Sequence, residues 1–516
     1  MARSTLESDR VAGPAIRPPE VPTTDELAQR PASGPKRDVV GADCRTWQES
    51  LRRFYDRSPR TTRRGWPHYY YVRIQKRLAE LVEPNSRVLD IGCGSGDLLA
   101  SLHPSVGVGV DFHEKTVNEA RCRHPGLRFL PMRGEDLHAL HDTFDYVILC
   151  QVLGEIYDVQ TLFQAVQSVC HARTRIIIVH YNRIWQPAVR LMEWLRLKRP
   201  TPEQNWLPAD EVIQLLDRSG FQAVRTFGMT IAPLYAPLFS AFFNRVIGSL
   251  PLIHLLGLNY VVVGRSVRAP KREQSRPRSV SIVVPACNEA GHIRALIDRI
   301  PSLAEKQEII FVEGGSRDDT WQVIQQAVAD YAGPAAVKCM KQDGRGKGDA
   351  VRKGFAAATG DILLILDADL SVPPEELPAF CDALVSGYGE FVNGSRMVYL
   401  MDRRAMRFLN LLGNKTFGWL FTYLLSQPFR DTLCGTKGLL RADYARIAAG
   451  RAYFGDFDPF GDFDLLFGAA RLNLKIVDVP VHYKARVYGR TNISRFRHGW
   501  MLLRMCVFAA RKIKFI

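Results

Sequence analysis

Short apolar runs and amphipathic segments take turns along two stretches of the chain. From Arg87 onward RVLDIG, VGVGVDF, LRFLPM, FDYVILC and TRIIIVHY are strand-length runs separated by segments with helical spacing. Buried apolar runs alternating with helices predict βαβ units and a parallel sheet. The rhythm lapses and restarts at SVSIVVPACNE, followed by EIIFVEGG, AAVKCMKQ, a helical pattern from Gly348 to Ala358, DILLILDADL and GEFVNGSR. Between the two stretches, residues 266–279 (SVRAPKREQSRPRS) are polar, basic and proline-containing, the composition of a linker. Residues 1–45 are rich in Pro, Arg, Ser and Thr without periodicity and read as a disordered tail. Helix-like spacing fills Trp47 to Leu81. The pattern therefore predicts an α/β chain: tail 1–45, a first domain 46–265, a linker 266–279 and a second domain 280–516.

Composition narrows the partners. A formal charge of +16 favours anionic ligands or surfaces. No zinc-finger spacing or RNA-binding signature accompanies it, so a nucleic-acid partner is not expected. Ten cysteines without a CxxC pair suggest neither a disulfide framework nor structural zinc, and fit a reducing cytoplasm. No signal peptide is read at the N-terminus. Residues 231–258 are strongly apolar but are broken by Asn244, Arg245 and three prolines, which favours an interfacial or core segment over a span. HGWMLLRMCVFAARKIKFI is interrupted by Arg504, with Arg511, Lys512 and Lys514 following its apolar part. It reads as a helix on an anionic membrane or as a docked terminal helix. The expected location is cytoplasmic, with peripheral contact on the inner face of the membrane.

In VLDIGCGSGDLLASL a strand ends in Asp90, and Gly92, Gly94 and Gly96 turn the chain into a helix. Glycines allow positive φ and close approach of a ligand, and the helix N-terminus favours anionic groups. Asp111, 21 residues after Asp90 at the end of the next strand, is placed to accept hydrogen bonds from ribose hydroxyls. This GxGxG pattern resembles class I S-adenosylmethionine-dependent methyltransferases. RGEDL, FDYVILCQVLGEIYD and NWLPADEVIQLLDRSGFQAV extend the likeness, which covers about Leu81 to Val263. The resemblance implies a Rossmann-like fold, S-adenosylmethionine as cofactor, Asp90, Gly92, Gly94 and Gly96 at its methionine end, Asp111 on the ribose and Asp136 near the adenine. His68, Tyr69, Tyr70 and Tyr71 precede this fold, and Gln151, Glu155, His180 and Tyr181 follow its strands. His180 reads either as a structural strand-end residue or as a general base.

Five motifs in order mark the second half: SIVVPACNE, IIFVEGGSRDD, GRGKGDAVRKG, DILLILDADL and GSR. They resemble glycosyltransferase family 2, with a GT-A fold, over about Ser279 to His498. Within it, GSR and HYKARVYGRTNISRF are most similar to dolichyl- or polyprenyl-phosphate sugar transferases. Transfer from a nucleotide sugar builds charge on a leaving diphosphate, and carboxylate-held Mg or Mn offsets it. Strand alternation in D-x-D predicts Asp367 and Asp369 on one side. The resemblance implies Asp369 on the metal, Asp367 on the metal or ribose, Pro285 and Glu289 by the base and ribose, and Arg396 near the phosphates. The family's usual D-D-G-S is here Glu313-Gly314-Gly315-Ser316: the second acid, which commonly touches the base, is missing, Glu313 is left to reach it, and the nucleotide stays open. FGDFDPFGDFDLLF offers Asp462, with Asp464 as runner-up, as the acid that acts as base or orients the acceptor. Arg486 and Arg490 would bind an acceptor phosphate.

The combined expectation is a bifunctional enzyme, a methyltransferase joined to an inverting glycosyltransferase, with a polyprenyl-phosphate or glycolipid acceptor. The alternatives are a soluble saccharide or small-molecule acceptor, and a scaffold in which one half has lost its chemistry.

Overall fold

The computed structural model describes residues 36–57, 66–196, 204–230, 232–233, 236, 239–251, 253–267, 279–399, 408–453, 463–484 and 495–515. The chain divides into two compact units, Met1–Arg53 and Phe54–Ile516. In the first, the described part belongs to the helix Lys36–Arg57. Residues 36–45, expected in the disordered tail, are thus helical, and the rest of that tail lies outside the described residues. Most of the proposed linker, 268–278, lies outside them as well.

The second unit holds two seven-stranded sheets. The first runs β1 (Arg87–Ile91), β2 (Val106–Asp111), β3 (Arg128–Pro131), β4 (Phe144–Cys150), β5 (Cys170–Tyr181), β6 (Phe221–Met229) and β7 (Asn259–Ser266), in spatial order 3-2-1-4-5-7-6. Only β7 is antiparallel to its neighbours. The predicted apolar runs are β1 to β5, and Val147, Ile148, Ile176, Ile177 and Ile178 are fully buried. Helices on both faces leave such strands no wet side, which is why they read as continuous rather than alternating.

The second sheet contains β8 (Ser279–Ala286), β9 (Lys306–Glu313), β10 (Ala336–Lys341), β11 (Ile362–Ile365), β12 (Phe391–Ser395), β13 (Lys437–Leu440) and β14 (Ile476–Pro480). Their order is 10-9-8-11-13-12-14, with β13 antiparallel. The expected helix over Gly348–Ala358 is observed at Lys347–Ala357. One expectation fails here: β11 stops at Ile365, so Asp367 and Asp369 lie in the turn beyond the strand and its alternation does not orient them. Leu370, at φ +55°, bends that turn away from extended geometry.

The two sheets are not strung apart. Arg175 of β5 donates to both carboxylate oxygens of Glu390 at 2.8 Å and to the Asn473 carbonyl at 2.9 Å. Arg265, register partner of Arg175 on β7, lies 3.6 Å from the same carboxylate. Arg225 of β6 donates to Ala470 and Asn473, and Lys475 to the Ala223 carbonyl. Glu390 stands just before β12, and Asn473 and Lys475 just before β14. The second sheet thus abuts the first with the amino ends of its parallel strands, and its carboxyl ends point away from the contact.

Candidate functional sites

At the first mouth, β1 runs into a turn whose Gly92, Gly94 and Gly96 have φ of +74°, +53° and +77°. That left-handed backbone favours glycine, and space requires it too. A Cβ on Gly92 would come 2.7 Å from Val152, and one on Gly96 2.5 Å from the Phe129 ring. Asp111 fastens the turn to the end of β2: its carboxylate accepts from the Gly94 amide at 3.1 Å and the His113 amide at 3.0 Å.

Asp90 is 1% exposed, and neither carboxylate oxygen meets a hydrogen-bond partner in the protein. Burial first, and then the neighbouring Asp111 charge, push its carboxyl up to about 8. A buried acid beside a glycine turn is a place for a cationic group, and the ammonium and sulfonium of S-adenosylmethionine supply that chemistry. The residues present therefore fit the cofactor. Asp136 is exposed on the 3-10 turn Gly134–Leu140 after β3.

Further side chains gather around this mouth. The Tyr70 hydroxyl donates to Asn259 at 2.8 Å and accepts from the Gln151 amide. Burial, then Tyr181 and Tyr71, hold that phenol well above its usual range. Gln151 sits at φ +59°, a conformation rare outside glycine, at the carboxyl end of β4. Tyr55 donates to the buried Glu155 at 2.6 Å and packs its ring against Phe112 and His113. Sequence reasoning missed Tyr55, since it precedes the sheet in a stretch read only as helix. His180 is 2% exposed and bonds the Asn205 carbonyl through Nε2 at 3.2 Å. Burial lowers its pKa to about 4 against the pull of that carbonyl, so the ring is neutral at pH 7.

The second mouth opens at the carboxyl ends of β8, β9 and β11. Pro285 pairs with Val312 in the β8–β9 ladder. Glu289 is buried and pairs with His292 at 2.8 Å, while its amide donates to Thr320 at 2.9 Å. Glu313 is buried at the end of β9 and accepts from the Ser316 amide. A cleft of about 330 Å³ opens there, lined by Glu313, Ser316, Asp318, Trp321, Lys341 and Gln342 among others. The Lys341 ammonium stands 4.9 Å from the Trp321 ring centre.

Asp367 pairs with Lys347, 2.7 Å away, at the first turn of helix Lys347–Ala357. A Cβ on Gly435 would meet the Asp367 carboxylate and the Lys347 ammonium, so any other residue there would displace that pair. Asp369 accepts from the Ser371 amide at 3.0 Å. Among the described residues no group of three or more His, Cys, Asp or Glu side chains could hold a metal. Two carboxylates suit Mg or Mn when phosphate oxygens and water complete the shell, and Asp367 and Asp369 fit that arrangement. Lys347 and Gly435 were not singled out from the sequence, although both stand in glycine-containing runs, GRGKGD and CGTKG.

Arg396 departs from expectation. Its guanidinium grips Asp431 with two bonds, 2.7 and 2.8 Å, and its amide donates to the same carboxylate at 3.0 Å. Burial raises the Asp431 carboxyl, but Arg396 outweighs it and holds the pKa at about 2. The arginine expected at the phosphates is engaged in a buried ion pair, because Asp431 reaches it from a loop 35 residues away. Asp464 is buried in the first turn of helix Phe463–Arg471, 3.1 Å from Arg451 and 3.9 Å from Arg352. Asp462, Arg486 and Arg490 lie outside the described residues.

Comparison with known proteins assigns both halves. Residues 64–226 match the family described as Methyltransferase domain, and residues 281–443 match Glycosyl transferase family 2. An undecaprenyl-phosphate 4-deoxy-4-formamido-L-arabinose transferase of Yersinia pestis (strain Pestoides F) is 32% identical over 226 residues, 43% of this chain and 64% of that protein. The chain spans 34% to 64% of the length of the first curated relatives it matches. Among solved structures, glucosyl-3-phosphoglycerate synthase of Mycobacterium tuberculosis is 22% identical, covering 46% of this chain and 80% of that one at a TM-score of 0.34. A SAM-dependent methyltransferase of Thermotoga maritima is 16% identical, covering 42% and 99%, at a TM-score of 0.31. The chain joins a methyltransferase domain with a Rossmann-like fold to a glycosyltransferase family 2 domain with a GT-A fold.

Proposed function

We propose that this chain is a bifunctional transferase, combining S-adenosylmethionine-dependent methyl transfer with inverting transfer of a sugar from a nucleotide-sugar donor to a polyprenyl-phosphate or glycolipid acceptor. The observation that supports this reading is that each matched domain places a pair of acids at or just beyond the carboxyl ends of its parallel strands: Asp90 and Asp111 in the first, Asp367 and Asp369 in the turn after β11 in the second.

In the first half, Asp90 receives the positively charged methionine end of the cofactor, with the turn Gly92, Gly94 and Gly96 against it. Asp111 orients the ribose while fastening that turn, and Asp136 lies toward the adenine. The cofactor supplies an electrophilic methyl group.

In the second half, Pro285, Glu289 and Glu313 shape the base and ribose site. Asp367 and Asp369 are the residues that would hold Mg or Mn, and a bound ion would supply positive charge for a diphosphate leaving group. Lys347 neutralises Asp367 before donor and metal arrive. Arg486 and Arg490 receive the acceptor phosphate, and Asp462 or Asp464 orients the acceptor. A lipid phosphate is already anionic, so no strong base is required. The relatives named as undecaprenyl-phosphate sugar transferases support this acceptor class.

The test is Mn-dependent transfer from labelled nucleotide sugars to undecaprenyl phosphate, paired with binding of S-adenosylmethionine by calorimetry. Transfer that requires Asp369, together with cofactor binding that weakens when Asp90 is replaced, is expected. Transfer only to soluble saccharides would replace the lipid acceptor, and no turnover with any donor would leave a scaffold.

A further inference from the structure

Helix Gln186–Trp194 follows the carboxyl end of β5, at the same edge of the sheet as the first mouth. Its sequence, QPAVRLMEW, is largely apolar, yet none of its side chains is buried. Leu191 is 55% exposed and Trp194 78%. A helix this short gains little from its own hydrogen bonds and ordinarily persists by burying its apolar face. Among the described residues that face has no cover within its own domain.

The same surface continues through the segment before β7. Asn182 donates to the Leu255 carbonyl at 2.9 Å, and the Trp185 indole to the Leu256 carbonyl at 2.8 Å. Leu255 and Leu256 are 56% and 53% exposed, and neither side chain has a role in the core. Beyond them, Phe239 and Phe242 are 57% and 52% exposed on helix Phe239–Arg245. Single exposed apolar residues are ordinary, but a joined set of this kind marks a contact surface.

We propose that this surface seats the methyltransferase half on an anionic lipid bilayer. Three observations select that occupant. Arg183, Arg190, Arg196 and Arg245 are exposed on or beside these elements, so the apolar area is edged by positive charge, as an anionic headgroup layer requires. Tryptophan, phenylalanine and leucine beside arginine are the composition of elements that lie in a membrane interface. The surface is also continuous with the second half: Arg245 donates to the Phe515 carbonyl and Ser249 to that of Lys514, both at 2.8 Å. The helix leading to them, Arg495–Ile513, exposes Trp500, Leu503 and Val507 at helical spacing. Among the described residues no helix is long and apolar enough to cross a membrane, so the contact is one of lying on it. The docking does not depend on what either mouth transfers. Its consequence for the first mouth is an opening at the bilayer surface, where a lipid-borne methyl acceptor would be met.

The full chain is floated with vesicles of phosphatidylcholine mixed with phosphatidylglycerol, and hydrogen exchange is followed in the bound state. Exchange should slow in residues 184–195 and 253–256. The Leu191→Ser/Trp194→Ser double variant should float roughly tenfold less or weaker still, with an unchanged thermal midpoint showing that it is folded. Three results overturn the proposal. The protein fails to float; or vesicles protect 500–507 and leave 184–195 unchanged; or 184–195 becomes protected without lipid as protein concentration rises, which assigns the face to a second copy.

Discussion

Both mouths follow one plan, a pair of acids at or just beyond the carboxyl ends of parallel strands, yet the acids have opposite surroundings. Asp90 is buried, meets no donor and faces Asp111, so it holds its proton to about pH 8. Asp367 is partly exposed and sits on Lys347. What an acid at a strand end becomes is decided by what the following turn brings to it. A glycine turn brings backbone amides, and Asp111 takes one of them, leaving Asp90 dry. The turn after β11 stands against a helix that begins with lysine, so a cation is already present. The first mouth holds a dry, unpartnered acid, the second an acid already paired with a cation.

The strongest test of the contrast concerns Arg396, the second mouth's supposed phosphate ligand. Arg396→Ala should lower stability by about 3–5 kcal/mol, the usual cost of stranding a buried partner, in this case Asp431. Denaturant unfolding measures it; unchanged stability with a raised KM for the donor would return Arg396 to the phosphates. Next, Asp369→Ala should reduce sugar transfer roughly a thousandfold, as loss of a metal ligand does, while cofactor binding at the first mouth stays as it was. Loss of both activities would show that the mouths are coupled.

Titration sharpens the comparison further. His180 is depressed from its ordinary 6.5 to about 4, so the unfolded chain takes up its proton first. Its contribution is therefore intact above pH 6.5 and is lost as pH falls toward 4, by at most about 3 kcal/mol. Asp90 has the reverse sign: its carboxyl is raised, so stability falls as pH rises from about 4 to 8. Unfolding of His180→Gln and Asp90→Asn across that range separates the two, and parallel curves for both variants would remove the assignment.

The smallest effect is in cofactor binding. Asp90→Asn should weaken S-adenosylmethionine roughly tenfold, the order of one lost charge-assisted contact. The wild type should release close to one proton on binding near pH 7. Calorimetry in buffers of different ionisation enthalpy reads that release, and equal release by the variant would place the proton elsewhere.

Much of this was legible in the chain because it is written locally. Runs such as RVLDIG and TRIIIVHY are buried on both faces, and glycine spacing marks a turn regardless of what packs on it. The acids at the strand ends were legible for the same reason. What stayed hidden is held by distant partners: Arg396 with Asp431, Asp367 with Lys347, and Arg175 with Glu390, 215 residues on. DILLILDADL also misled, since Leu366 and Ala368 alternate with the acids as a continuing strand would, whereas Leu370 in the left-handed region belongs to a turn. The arginines of β5, β6 and β7 that join the two sheets look, in sequence, like ordinary strand residues.

That joint has a kinetic consequence. The second sheet meets the first through the amino ends of β12 and β14, while its mouth lies at the carboxyl ends of its parallel strands. Among the described residues that contact joins strand ends opposite the mouth and provides no passage between the two mouths. A compound made at one mouth and used at the other must therefore be released and captured again, mixing with whatever pool surrounds the protein. Unlabelled intermediate added during a two-step reaction would dilute isotope in the final product in proportion to its concentration, as it would with two unconnected enzymes.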